Sequence, residues 1–412
     1  MRPKCRIMEE REAIMKNFIF ISPNFPETYW LFCAALKRNG MRVLGIGDCP
    51  FDQLSQDLRE SLHEYYRVSN LENYDEVFRA VAFFTYKYGK IDWLESNNEF
   101  WLERDARLRT EFHITTGFMA EDMDKVKRKS AMKQYYAQIG VPTARYHLVE
   151  DLESARAFIR QVGYPVVVKP DNGVGASHTY RLRDDEELCS FFDHMDEEQY
   201  IMEEYVDGFV QTYDAIIDSR GEPMFESGNV TPHSLMDIVN GNGESLYYIV
   251  KELPPRLLEI GRKTVKAFGV KSRFVHLEYF VLNKDQEGLG KKGDLLGLEV
   301  NMRPAGGYTP DLYDFAYETN VYQIWADMVA FDRTAQDPYH VRRFCAFIGR
   351  RDGRRYVMDH QAIIDQYGTH IKMSRRIPKA LSGAMADQMY VAVFDTKEEM
   401  ETFYRNLLAT RA

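Results

Sequence analysis

Residues 295–304 read Leu295-Leu-Gly-Leu-Glu-Val-Asn301-Met-Arg-Pro304. Side chains alternate along a strand, so Leu296, Leu298 and Val300 are expected on one face and Glu299, Asn301 and Arg303 on the other. A strand with only a structural role seldom carries a carboxylate, an amide and a guanidinium in succession opposite an apolar face. That polar face most simply lines a cleft. Upstream, Phe274-Val-His-Leu-Glu-Tyr-Phe280 has the same character, and residues 283–293 between them are polar and glycine-rich, as a hairpin loop should be. Antiparallel pairing about the centre of that loop puts Glu278 opposite Glu299 and His276 opposite Asn301. Two carboxylates facing across a strand pair repel unless a cation lies between them. Two carboxylates and an amide oxygen are hard ligands suited to Mg2+, so Glu278, Glu299 and Asn301 are the candidate metal ligands.

Further towards the amino terminus, an apolar strand in Gly163-Tyr-Pro-Val-Val-Val-Lys169 runs into Pro170-Asp-Asn-Gly-Val-Gly-Ala-Ser-His178. Gly173, Gly175 and Ser177 make a loop whose backbone N–H groups can approach phosphate oxygens, and Lys169 adds a point charge. No G-x-x-x-x-G-K-[ST] occurs in the chain, so this is not a P-loop. Between the two constellations lies Tyr200-Ile-Met-Glu-Glu-Tyr-Val-Asp-Gly208, which by itself reads as a surface strand.

The chain opens on a β-α-β rhythm: a strand at residues 18–21, a helix from Pro26 to Asn39, and a strand at residues 42–46. This implies a parallel sheet covered on both faces. Gly45-x-Gly47 lacks the third glycine of a dinucleotide fingerprint and is followed by Pro50. Residues 91–109 read as a strand running into a helix, with Glu95, Asn98 and Glu99 at the junction where open α/β sheets place ligands. Val141-Pro142 breaks the next helix and marks a boundary. The expected units are 1–125, 126–207, 208–334 and a carboxyl-terminal α/β extension over 335–412, with a helix near residues 310–331.

With 412 residues the chain is too long for one ordinary core. A net charge of -10, spread along the sequence, argues against a general nucleic-acid surface while leaving room for small anions in a lysine-lined pocket. Five scattered cysteines without C-x-x-C fit a reducing, cytoplasmic setting and buried structural thiols. No stretch approaches the roughly 20 apolar residues that span a bilayer.

Taken in order, these pieces resemble the ATP-grasp superfamily, in particular its carboxylate–amine ligases, over roughly residues 129–331. The resemblance implies a Rossmann-like preATP-grasp domain followed by a two-lobed ATP-grasp fold, an α/β and α+β multidomain chain. It implies ATP with Mg2+, or Mn2+ in its place, as cofactors. Lys129 is similar to the lysine that meets the nucleotide phosphates, with Lys125 and Lys133 as neighbouring alternatives. Lys169 is similar to the second nucleotide lysine, residues 171–179 to the phosphate loop, and Glu203, Glu204 and Val206 to the hinge that bonds adenine, largely through the main chain. Glu278, Glu299 and Asn301 match the metal ligands, and Arg303 the arginine beside the transferred phosphoryl group. Two departures stand out. Val210 replaces the acid that binds ribose in many relatives, leaving Asp207 or another group to that task, and Thr179 replaces a loop glycine.

The implied reaction joins a small-molecule carboxylate to an amine through an acyl-phosphate, with amino acids or a short peptide as substrates by analogy. A homodimer is compatible with it, and neither nucleic acid nor membrane is called for. Glu95 and Glu99, residues 231–236 and residues 305–310 are the expected substrate selectors; in the last, Thr309 followed by Pro310 resembles an N-cap and first helical residue. A biotin-carboxylase-like use of bicarbonate and a non-catalytic ATP-binding module are the rival readings.

Overall fold

The computed structural model describes residues 15–173, 178–232 and 243–411. Gly175, Ser177 and most of residues 231–236 fall outside them, as does Cys5; Cys33 and Cys345 are buried, free thiols.

The amino-terminal strands form a parallel sheet in the order Glu64–Arg67, Arg42–Gly47, Asn17–Ile21, Trp93–Glu95. Its apolar strands are buried on both faces, as an all-parallel sheet requires. Ile19, Leu44 and Ile46 pack with Val77, Val81 and Phe84 of helix Tyr74–Tyr88. On the other face Phe18 and Phe20 meet Phe32, which stacks edge-on against Tyr322 and Trp325 of helix Val321–Phe331. A Cβ on Gly47 would stand 2.5 Å from the Tyr65 hydroxyl, and one on Gly45 2.9 Å from Leu62. The Gly-x-Gly pair is therefore a packing feature. The first helix begins at Trp30, four residues later than the sequence suggests, because residues 26–29 form a turn closed by Tyr29 N–H donating to Pro26 O.

A second, antiparallel sheet has the order Tyr146–Leu148, Tyr200–Glu204, Val166–Pro170, Tyr180–Leu182. All five residues of Tyr200–Glu204 are buried, which corrects the reading of this segment as a surface strand. It is an interior strand, flanked on both sides, with Tyr200 and Met202 packed under helices Leu152–Val162 and Asp185–His194.

Among the described residues the third sheet has nine strands: it begins Leu295–Asn301, Arg273–Leu282, Gly208–Ile217, Asn229–Thr231, Ser245–Ile249, and Pro223–Ser227 pairs with Gly208–Ile217 off this path. It continues through Phe344–Arg350, Gln388–Phe394 and Ile371–Arg376, so the expected division at 334/335 falls inside one sheet. Helix Lys129–Gln138 packs on this sheet rather than on the smaller one: Met132 and Tyr136 share a core with Leu257, Val265, Tyr279 and Val300. The helix expected near 310–331 is two, Thr309–Tyr317 and Val321–Phe331. The break falls at Glu318, whose φ is 48°, and the Asn320 side chain caps the second helix.

Buried charges fasten the parallel sheet to the nine-stranded one. Glu95 Oε2 lies 3.1 Å from Arg273 Nη2 and 3.4 Å from Arg109 Nη1. Arg273 also donates to Met302 O at 2.7 Å, next to Asn301. Glu95, expected as a substrate selector, is thus a structural anchor, because both its cationic partners are as buried as it is.

Candidate active site

The hairpin has the expected register: Glu278 is the Cα partner of Glu299, and His276 of Asn301. A bulge follows between Glu278 and Tyr279, which pairs with Gly297 and leaves Leu298 as the extra residue. The bulge reverses the alternation, so the expected common face of Leu296, Leu298 and Val300 does not exist. Leu296 packs with Ala144, Val206 and Leu282, whereas Val300 joins Leu295 in the core beneath the helices. Gly297 also faces that core. A Cβ there would stand 2.8 Å from ring carbons of Tyr136, whose helix carries Lys129 and Lys133.

Glu278 is held by a histidine that had no assigned role in the reading of the sequence. His276 sits between two acids, its Nδ1 2.5 Å from Asp214 Oδ1 and its Nε2 2.9 Å from Glu278 Oε1. Burial alone would lower its pKa, but the carboxylates of Asp214 and Glu278 raise it to about 9, so the ring is an imidazolium donating from both nitrogens. Burial likewise opposes the charge on Glu278, and His276 then Arg303 bring its pKa below the usual value. Glu299 moves the other way: burial raises it, and the negative charges of Glu99 and Glu278 add to that against the pull of Lys129. Acids crowded so that one resists ionising suit a cation-binding site.

Glu99 occupies the same cluster. It pairs with Arg303 and lies 3.5 Å from Lys127. With its amide nitrogen turned towards Glu99, Asn301 donates to both carboxylate oxygens, at 3.1 and 3.2 Å. Burial would raise the Glu99 pKa, but Arg303 and Lys127 keep it below the usual carboxylate value.

Facing these acids are three lysines. Lys129 Nζ is 3.4 Å from Glu299 Oε1 and 3.4 Å from Gly173 O. Lys133 and Lys169 flank the buried Glu203, at 2.7 and 2.8 Å. Of the alternatives to Lys129, Lys125 pairs locally with Asp122 and Lys133 is committed to Glu203. The Glu203 side chain therefore holds lysines in place, and that of Glu204 is tied to Arg145 by hydrogen bonds at 2.6, 2.7 and 2.9 Å. Asp207, the suggested ribose partner, is engaged by Lys284 at 2.8 Å and Asn283 at 3.0 Å.

Beside Glu278 and Arg303 opens a cavity of about 420 Å3. Asn97, Asn98, Glu99, Val210, Thr212 and Thr231 line part of it. The loop from Ala305 to Thr309 lines another part; its helix starts one residue earlier than expected, at Thr309, whose hydroxyl donates to Gly306 O instead of capping. Helix Lys379–Met385, from the carboxyl-terminal region, closes one wall, a contribution that nothing in the sequence signalled.

Residues 127–229 match the family model for the phosphoribosylglycinamide synthetase ATP-grasp (A) domain. The chain has an ATP-grasp fold. The chain superposes on an L-amino acid ligase from Bacillus licheniformis with a TM-score of 0.69 at 17% identity, covering 95% of this chain and 96% of that one. It also superposes on the biotin carboxylase domain of 2-oxoglutarate carboxylase from Hydrogenobacter thermophilus, solved with MgADP and bicarbonate, with a TM-score of 0.68 at 15% identity and coverage of 96% and 90%. A curated phosphoribosylamine–glycine ligase from Allochromatium vinosum is 46% identical over 57 residues, 14% of this chain and 13% of the relative. The matched stretches span between 6% and 20% of the curated relatives' lengths. No helix among the described residues is long and apolar enough to cross a membrane.

Proposed function

We propose that this ATP-grasp protein is an ATP-dependent carboxylate–amine ligase working through an acyl-phosphate. The observation that carries the reading is the facing pair Glu278 and Glu299, with Lys129 reaching Glu299 from the helix packed on the same sheet.

Glu278, Glu299 and Asn301 would hold Mg2+, or Mn2+ in its place; the crowding that raises the Glu299 pKa fits such a donor set. When bound, the ion neutralises phosphate oxygens and polarises the γ-phosphoryl group. Lys129 and Lys169 supply positive charge to the phosphates, with Gly173, Gly175 and Ser177 as their backbone cradle. Burial would discharge Lys169, but Glu203 holds its pKa above the usual value, so it carries its charge into the cleft. Glu203, Glu204 and Val206 form the adenine hinge through their main chain, since both glutamate side chains are engaged elsewhere. Arg303 stabilises charge on the phosphoryl group as it transfers.

A carboxylate oxygen of the substrate bonds to the γ-phosphorus as the bond to the β,γ-bridging oxygen breaks, releasing ADP. An amine nitrogen then attacks the acyl carbon, the C–O bond to phosphate breaks, and the amine proton leaves to solvent. Likeness to an L-amino acid ligase favours amino acids as substrates. A cavity of about 420 Å3 with apolar walls is a poor match for bicarbonate, which disfavours the carboxylase alternative.

ADP release over a matrix of amino acids, with mass spectrometry of the products, tests the proposal. The expected result is an amide formed with one ADP per bond and lost in Glu299→Ala. Wild-type turnover in that variant would overturn the metal assignment and the reaction with it.

A further inference from the structure

The cavity beside Arg303 has a mixed lining: Asn98, Thr212, Asn229 and Ser245 join the candidate metal ligands, and a set of apolar side chains makes up the rest. Glu278 and Arg303 belong to both the metal cluster and the cavity lining, so a molecule filling the cavity brings its reacting group to the site of phosphoryl transfer. Phe25, Tyr247, Leu381 and Ala384 are only partly buried and, with Met385, present hydrocarbon to this space. They come from three distant parts of the chain. Arg351 fixes helix Lys379–Met385 by donating to the carbonyls of Ser382 and Gly383. Met385 is seated by Gly307: a Cβ there, at φ 63°, would stand 2.7 Å from both Sδ and Cε of Met385. Tyr247 is set by its hydroxyl 3.1 Å from Thr309 Oγ1.

One polar feature of the lining is unmet. Asn97 is 3% exposed, sits in the left-handed region at φ 54°, and its Nδ2 has no hydrogen-bond partner. A buried amide donor left unpaired is costly, and a ligand oxygen placed against it recovers that cost.

We infer that the acid activated at this site carries a bulky apolar side chain, which lies against Phe25, Tyr247, Leu381 and Met385 while its carboxylate meets Arg303. The inference rests on the ligase reading above and specifies its acid. A hydrocarbon side chain against these four residues gains by removing apolar surface from water, whereas an ionic head placed there gives up its hydration. Leu381 and Met385 are accordingly specificity-determining residues, supplied by a helix far in sequence from the nucleotide site.

Hydroxylamine in place of the amine reads the acid alone: its nitrogen attacks the acyl-phosphate, phosphate leaves, and a hydroxamate remains. The panel is L-leucine, L-phenylalanine, their des-amino analogues 4-methylpentanoate and 3-phenylpropanoate, and glycine, L-aspartate and L-lysine. At least one apolar acid should exceed glycine, aspartate and lysine by roughly tenfold or more in kcat/KM. Met385→Ala and, separately, Leu381→Ala should move the preference towards the larger phenyl side chain. Preference for glycine or a charged acid, or no hydroxamate from any apolar acid in protein that binds MgATP, overturns the inference and leaves the nucleotide site standing. Failure to bind MgATP at all overturns the ligase reading as well.

Discussion

Glu278 and Glu299 are Cα partners across an antiparallel strand pair, and their carboxyl groups are driven in opposite directions by their surroundings. His276 and Arg303 hold Glu278 below its usual pKa, while burial and two neighbouring acids raise Glu299 despite Lys129. Facing acids are unfavourable in a sheet unless something positive joins them. In this protein positive groups close in from both sides: an imidazolium behind Glu278 and a lysine in front of Glu299.

His276 fixes Glu278 and is itself fixed by Asp214. Replacing it with leucine leaves both acids without their donor while roughly conserving volume. The Mg2+ concentration for half-maximal nucleotide binding should rise about 10- to 100-fold, the usual consequence of losing a group that orients a metal ligand. An unchanged Mg2+ requirement in a folded His276→Leu protein would remove His276 from this role.

Glu203 neutralises two buried lysines, and Glu203→Gln leaves both without it. Breaking a buried pair in this way costs about 3–5 kcal/mol, read as a lower denaturant midpoint for the variant. The cost should depend on pH. Burial works against the Glu203 charge, but Lys133 and Lys169 bring its pKa from 4.5 to about 2. A carboxylate depressed by folding stabilises the protein fully above its unfolded pKa and ceases to do so as pH falls through the folded value. The stability gap between wild type and Glu203→Gln should be constant above about pH 5 and narrow as pH falls from 4.5 towards 2. A gap that widens on acidification would contradict the assignment.

Gly297 lies under the Tyr136 ring, and Gly297→Ala puts a methyl 2.8 Å from ring carbons. The ring is fully buried between helix and strand, so the overpacking should destabilise by about 1–3 kcal/mol. Because Tyr136 and Lys129 share a helix, nucleotide affinity should fall along with the thermal midpoint. Wild-type stability would show that the ring moves aside freely.

The hairpin register was readable because the polar, glycine-rich segment at residues 283–293 marks the centre about which the two strands pair. The bulge was not: one extra residue at Leu298 leaves both acids in place and alters only which side the leucines take. His276 was visible as a residue but not as a device, since its partner Asp214 lies 62 positions away on another strand. Pairing of Ser245–Ile249 with Phe344–Arg350 likewise joins strands about a hundred residues apart, so the carboxyl-terminal region read as an appendix although it continues the central sheet. Lys129 and Lys133 are four residues apart on one helix, and only the fold shows that one reaches Glu299 and the other Glu203.

The central claim is that Glu278 and Glu299 jointly hold a divalent cation against a nucleotide's terminal phosphates. Calorimetric titration of ADP with and without Mg2+, into wild type and into the Glu278→Gln/Glu299→Gln double variant, tests it directly. Mg2+ should tighten ADP binding to the wild type and have no effect on the double variant. Equal Mg2+-dependent tightening in both proteins would contradict the account.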